Sequence, residues 1–129
     1  MTEISLEEAL FFEQKPGTLP LYVSLREQVL KHCGPANIQI KKTQISFINR
    51  HLFAAVSFTP VRKAKERPKT YITVTFGLSH KVDAPKIDVA VEVYPNRWTH
   101  HIMLGTEDEI DEELLSWLKE AADFSNSKR

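Results

Sequence analysis

Between residues 38 and 104 apolar side chains recur at every second position in short blocks, and turn residues separate the blocks. Strand side chains alternate between the two faces of a sheet, so this periodicity predicts consecutive, mainly antiparallel strands. Ile38 and Ile40 open the series, followed by Ile45 and Phe47, and then, past Asn49 and Arg50, by Leu52, Ala54, Val56 and Phe58. Tyr71 to Leu78 is the clearest strand, with Ile72, Val74, Phe76 and Leu78 on one face and Thr73 and Thr75 on a wetter one. Ile87, Val89, Val91 and Val93 repeat the pattern, and Pro95-Asn96 turns the chain into Trp98 to Leu104. The expected sheet has about five or six strands.

Helical signals lie outside this block. Ser5-Leu6-Glu7-Glu8 matches a capping box, and Pro16-Gly17 ends the short helix it begins. A second helix has Pro20 in its first turn, Leu21, Leu25 and Val29 along one face, and Gly34-Pro35 as its stop. The last helix is expected to start at a second capping box, Thr106 to Glu109, with Ile110, Leu114, Trp117, Leu118 and Ala121 as its buried stripe. Two helices before the strands and one after them, without one-for-one alternation, define an α+β domain rather than a doubly wound one. The expectation is one domain over residues 1 to 129, with 125 to 129 as a polar tail.

Composition removes several classes of function. The 17 basic and 17 acidic residues cancel, so any attraction to nucleic acid or an anionic surface must be local. A single cysteine, Cys33, excludes an internal disulfide and a cysteine-rich zinc centre, and suits a reducing compartment. No segment approaches the ~20 apolar residues of a membrane span, and the first residues lack a basic segment followed by an apolar run. A cytoplasmic protein without membrane attachment is expected. There is no glycine-rich phosphate loop, serine elbow or cysteine nucleophile flanked by a base, and only four glycines are available for tight cradles. Neither a cofactor nor a resident metal is expected.

The densest chemistry is Arg97-Trp98-Thr99-His100-His101. Alternation places His100 with Trp98, Ile102 and Leu104, and His101 opposite with Thr99 and Met103, so the two rings are poorly placed to grip one ion. Arg97 suits an anionic group, Trp98 an apolar or stacking surface, and the histidines hydrogen bonding. A second anion-binding candidate is the loop carrying Arg62, Lys63, Lys65, Arg67 and Lys69 against a single acid, Glu66, with Lys41 and Lys42 as an extension. A solvated loop accounts for the same charges. Glu107 to Glu113 read as cap and polar helix face, not as a metal site. His80 or His51 meeting one of the pair beside Glu92 or Asp88 would make a metal-assisted or hydrolase-like site.

The series Phe11-Phe12, Lys15-Pro16, Leu21-Tyr22, Gly34-Pro35, Lys42 with Ile45-Ser46-Phe47, and Phe53-Ala54-Ala55-Val56 resembles a family of small uncharacterised bacterial domains. The resemblance continues through Arg97-Trp98-Thr99-His100-His101, Glu112-Glu113-Leu114, Trp117-Leu118, Glu120-Ala121 and Phe124. Some members of that family have been labelled transport proteins, a label to which this sequence gives no support. The resemblance implies an α+β domain able to stand alone or serve as a module, adds weight to Lys42, Arg97, Trp98 and His100, and brings no catalytic residues.

These readings favour a non-enzymatic binding or adaptor module that recognises an anionic ligand through Arg97, Trp98, His100 and His101, helped by Lys41, Lys42 and the basic loop. The partner would be a small anion, a protein or nucleic acid, and the chain a monomer or weak homodimer. The alternatives are a small hydrolase-like or metal-assisted enzyme, and a structural or protein-interaction domain pairing through a sheet edge.

Overall fold

A computed structural model describes residues 4–128. Helix α1 spans Leu6–Phe11, and its capping box forms as expected: the Ser5 hydroxyl accepts from the Glu8 amide while the Glu8 carboxylate accepts from the Ser5 amide. A single 3-10 turn, Phe12–Gln14, and Gly17 at φ +94° then redirect the chain into α2, Leu19–His32. Gly34, at φ +82°, ends α2 in the left-handed region that glycine adopts without steric cost.

The strands are β1 Asn37–Ile40, β2 Gln44–Ile48, β3 Leu52–Ser57, β4 Ile72–Leu78, β5 Val89–Tyr94 and β6 Arg97–Leu104. They form one antiparallel six-stranded sheet in the order β1-β2-β3-β4-β6-β5. The chain leaving β4 skips one place, forms the edge strand β5, and returns through Pro95-Asn96 to insert β6 beside β4. Asn96 sits at φ 62°, the left-handed conformation that a tight hairpin turn demands and asparagine tolerates. Helix α3, Glu112–Ser127, packs against β3 and β4.

The core lies between the helices and one face of the sheet. Ile72, Val74, Phe76 and Leu78 of β4 face it as the alternation requires, opposite Leu104, Ile102, His100 and Trp98 of β6. Tyr22 and Leu25 of α2, and Leu114, Trp117 and Leu118 of α3, close over them. Full burial of a Leu or Phe side chain stabilises a fold by about 1.5–3 kcal/mol, so this layer is the main source of stability. The register of β3 slips by one residue against Phe47/Ile48, as at a bulge, and Phe53 joins Ala54 in the core, with its ring 6.4 Å from Phe47.

Three expectations change. The Thr106 capping box forms, but it caps only a 3-10 turn, Glu107–Glu109; Ile110, at φ −84° and ψ 77°, leaves helical geometry, and α3 starts afresh with the Asp111 side chain accepting from the Leu114 amide. The other sheet face is drier than alternation suggests. Ser46, Ser57 and Thr73 are buried, and the segment after β3 folds back there, with the Thr73 hydroxyl donating to the Thr59 carbonyl. The polar segment from Ser125 continues α3 to Ser127, where the buried Ser125 hydroxyl shares its one proton between Asn49 Oδ1 and the His51 carbonyl and accepts from the His51 amide.

Candidate functional site

Arg97 and Trp98 open β6, and the hairpin turn before them places both at the sheet end shared by the start of β3 and the end of β4. The last turn of α3 reaches the same end. Together these elements enclose an open cavity of ≈ 360 Å³, with Leu52, Phe53, Leu78, Trp98 and Phe124 among its apolar walls and the exposed Val93 and Tyr94 also lining it. Such a volume is at the lower end of the range usual for small-molecule sites.

Two cations meet at this cavity. The Arg97 guanidinium lies 4.9 Å from the centroid of the Phe124 ring, and the Lys128 ammonium lies 4.8 Å from it. Arg97 also donates to the Asn96 carbonyl at 3.1 Å. Neither side chain has a carboxylate partner among the described residues, and no aspartate or glutamate lines the cavity. Burial, and secondarily the charge of Arg97, hold the Lys128 ammonium below the ordinary lysine pKa. The ring faces are attractive to cations, yet two like charges around one ring leave a local positive excess that an anion relieves. A third cation, Lys81, stands 5.9 Å from the Trp98 ring but pairs with Asp83.

The histidines take other roles. His100 shares the core face with Trp98, is fully buried, and stacks on Phe76 with ring centroids 5.0 Å apart. Its Nε2 accepts from the Val82 amide at 3.0 Å, which fixes a neutral ring with the proton on Nδ1, and Nδ1 has no hydrogen-bond partner among the described residues. Burial lowers the pKa of His100, against smaller opposing effects from the Phe76 backbone and Glu120. His101, on the opposite face, shares a 2.8 Å hydrogen bond with Thr75, and burial lowers its pKa as well. Arg97 and Trp98 therefore lie at the cavity, while His100 and His101 do not line it.

The basic loop and the lysine pair lie at the other end of the sheet. Strand register sets Ile40 beside Ile45, Gln44 beside Ser57, Ser57 beside Thr73 and Thr73 beside Met103, so Lys41, Lys42 and the segment after β3 are a full strand length from Arg97. At ~3.3 Å per residue that is roughly 20 Å. Arg62 is engaged internally, donating to Asp88 at 2.7 and 3.3 Å and to the Met103 carbonyl at 3.1 Å, and Arg67 donates to the Arg62 carbonyl. Lys63, Lys65, Lys69, Lys41 and Lys42 are exposed.

The histidine and carboxylate combinations do not assemble either. His80 bonds Glu120 on α3, which raises its pKa; His51 is held through its backbone by Ser125; Asp88 accepts from Arg62 and the Met103 amide; Glu92 accepts from the Asn96 amide in its own hairpin. No group of three or more His, Cys, Asp or Glu among the described residues is arranged to hold a metal. Burial pushes the Cys33 thiol up to about 11, away from nucleophilic character.

Sequence reasoning missed Phe124 and Lys128 as partners of Arg97, because nothing in their spacing links a strand start to a distant helix end. It also missed a buried polar triad. Burial by itself would raise the Glu8 pKa, but hydrogen bonds from Tyr22, the Ser5 amide and Arg26 outweigh it and hold the carboxylate below its ordinary value. The Ser5-to-Glu8 box was visible in the sequence; the convergence of Tyr22 and Arg26 on the same carboxylate was not.

Fold and site define an α+β domain with a cation-flanked apolar cavity at one end of an antiparallel sheet. The chain belongs to the family described as Domain of unknown function (DUF5655), whose model matches residues 7–125. The matched stretch includes Arg97, Trp98 and Phe124 and stops short of Lys128. Comparison with curated proteins and with solved structures gives no match. No helix among the described residues is long and apolar enough to cross a membrane.

Proposed function

We propose that this domain is a non-catalytic binding module for a small anion with an apolar or aromatic body, held at the β5–β6 end of the sheet. The observation that carries this reading is the pairing of Arg97 and Lys128 around Phe124 in a cavity that no carboxylate lines among the described residues. Lysine near a helix C-terminus is favourable against the helix's own carbonyls, which accounts for Lys128 taken singly. It does not account for Arg97, which arrives from the sheet and could have pointed into solvent. Trp98 and Phe124 supply the flat apolar surface that such a ligand needs, and the exposed Val93 and Tyr94 extend it outward.

The test is a titration with the fluorescent monoanion 8-anilinonaphthalene-1-sulfonate at low salt. Saturable binding at one site is expected, weakened at least tenfold by Arg97→Gln, with circular dichroism unchanged. A triple Lys63→Gln, Lys65→Gln, Lys69→Gln variant is expected to bind as the wild type does. Equal weakening by the loop variant, or none by Arg97→Gln, would overturn the assignment.

A further inference from the structure

We infer that the cavity prefers a monovalent carboxylate on an apolar or aromatic body to the corresponding phosphate ester; this rests on the binding reading above and narrows its ligand class. The choice follows from what surrounds the two cations. A phosphate dianion has three terminal oxygens to satisfy and is usually held by several backbone N–H groups, at a helix N-terminus or in a nest of successive amides. Here the helix end is the wrong one. α3 brings its C-terminal turn, the negative end of its dipole, to the cavity, and that turn carries both Phe124 and Lys128. A second negative charge on the ligand would add to the repulsion from that carbonyl end.

No left-handed backbone position forms a nest of amides at the cavity among the described residues. The glycine in the lining, among the described residues, is Gly77, inside β4, and its φ lies outside the left-handed range. Among the described residues positive φ occurs at Gly17, Gly34 and Asn96, and none of these lines the cavity. The charged donors at the cavity are the Arg97 and Lys128 side chains. A guanidinium with one nitrogen already on Asn96 keeps further N–H groups for the paired oxygens of a carboxylate, with the Lys128 ammonium beside the same Phe124 ring.

Size and walls set the rest of the ligand. At ~30 Å³ per water, ≈ 360 Å³ holds the equivalent of about a dozen waters, which suits a fused ring pair or a medium-length alkyl chain bearing one acid group. The walls offer Leu52, Phe53, Leu78, Trp98 and Phe124 to such a body.

The inference is tested by titrating the protein at pH 7.5 with 2-naphthoate, 2-naphthyl phosphate and the neutral 2-naphthamide, following amide shifts and the Trp98 indole N–H. At that pH a phosphate monoester is largely a dianion. The naphthoate is expected to bind at least tenfold tighter than either analogue, and Arg97→Gln and Lys128→Gln are each expected to remove most of that advantage while leaving the amide unchanged. A phosphate ester that binds as tightly as the naphthoate, or tighter, overturns the carboxylate preference and leaves the anion site standing. Equal binding of all three, shifts confined to another part of the sheet, or no binding of any, overturns both readings.

Discussion

Arg26 and Glu8 are 5% and 2% exposed, and Glu8 accepts hydrogen bonds from both Tyr22 and Arg26, so this carboxylate is compensated only while its partners remain. Removing one partner of a buried pair costs about 3–5 kcal/mol, because the other charge stays buried without compensation. Arg26→Met is therefore expected to lower stability by that order, and Tyr22→Phe by about 1–3 kcal/mol for the lost donor. Urea unfolding followed by circular dichroism measures both. A loss below about 1 kcal/mol for Arg26→Met would show that Glu8 finds other compensation or takes up a proton. The double variant Glu8→Gln, Arg26→Met should recover part of the loss, since no charge is then stranded.

At the scale of elements, the two caps before α3 separate cleanly. Asp111 caps the sixteen-residue helix and also bonds Lys86, whereas Thr106 caps only the 3-10 turn ahead of it. Asp111→Ala is expected to cost ~1–2 kcal/mol and Thr106→Ala less than half as much. Equal losses in thermal unfolding would mean that the two turns melt as one unit. The same pair shows how far the sequence could be read. Both Thr106 and Asp111 are good N-caps followed by acids, and local chemistry alone cannot decide between them; the deciding factor is Ile110, which packs against the core from outside the helix. The alternation from Ile72 to Leu78 and from Trp98 to Leu104 fixed strand identity and facing, because burial on one side leaves only one register that hides the apolar set. Order within the sheet was hidden, since nothing local says that β6 inserts between β4 and β5. For the same reason Arg97 and Trp98 were identifiable as candidates, while Phe124 and Lys128, which complete the cavity, were not. His100 drew notice as a ligand-binding residue, although its neighbours Phe76 and Val82 make it a buried link between β6 and the connection after β4.

For the molecule as a whole, that link makes stability depend on pH. Burial lowers the pKa of His100 and of His101 below the ordinary 6.5, so the unfolded chain takes up their protons first. Their contribution is complete above pH 6.5 and declines as the pH falls below it, at up to about 1.4 kcal/mol per pH unit for each ring. His80 runs the other way. Its bond to Glu120 raises its pKa, so what it adds is complete below pH 6.5 and lost as the pH rises through the higher folded value; its exposure keeps that effect small. Urea midpoints are expected to fall between pH 6.5 and pH 5.5, and His101→Asn should flatten the decline. A level profile, or a midpoint that rises on acidification, would mean that neither buried ring is held neutral. The lowered pKa of Glu8 acts below pH 4.5 and leaves this window clear.

The cavity takes its walls from the start of β3, the end of β4, the β5–β6 hairpin and the final turn of α3. During synthesis the strands can pair once Leu104 has emerged, but the pocket has no cationic clamp until Phe124 and Lys128 arrive. Arg97 and Lys128 thus meet only when the end of α3 is packed against the β5–β6 hairpin. A bound anion would in turn restrain the end of α3, a place where helices ordinarily fray, so that its last turn would exchange amide protons more slowly than a helix end ordinarily does.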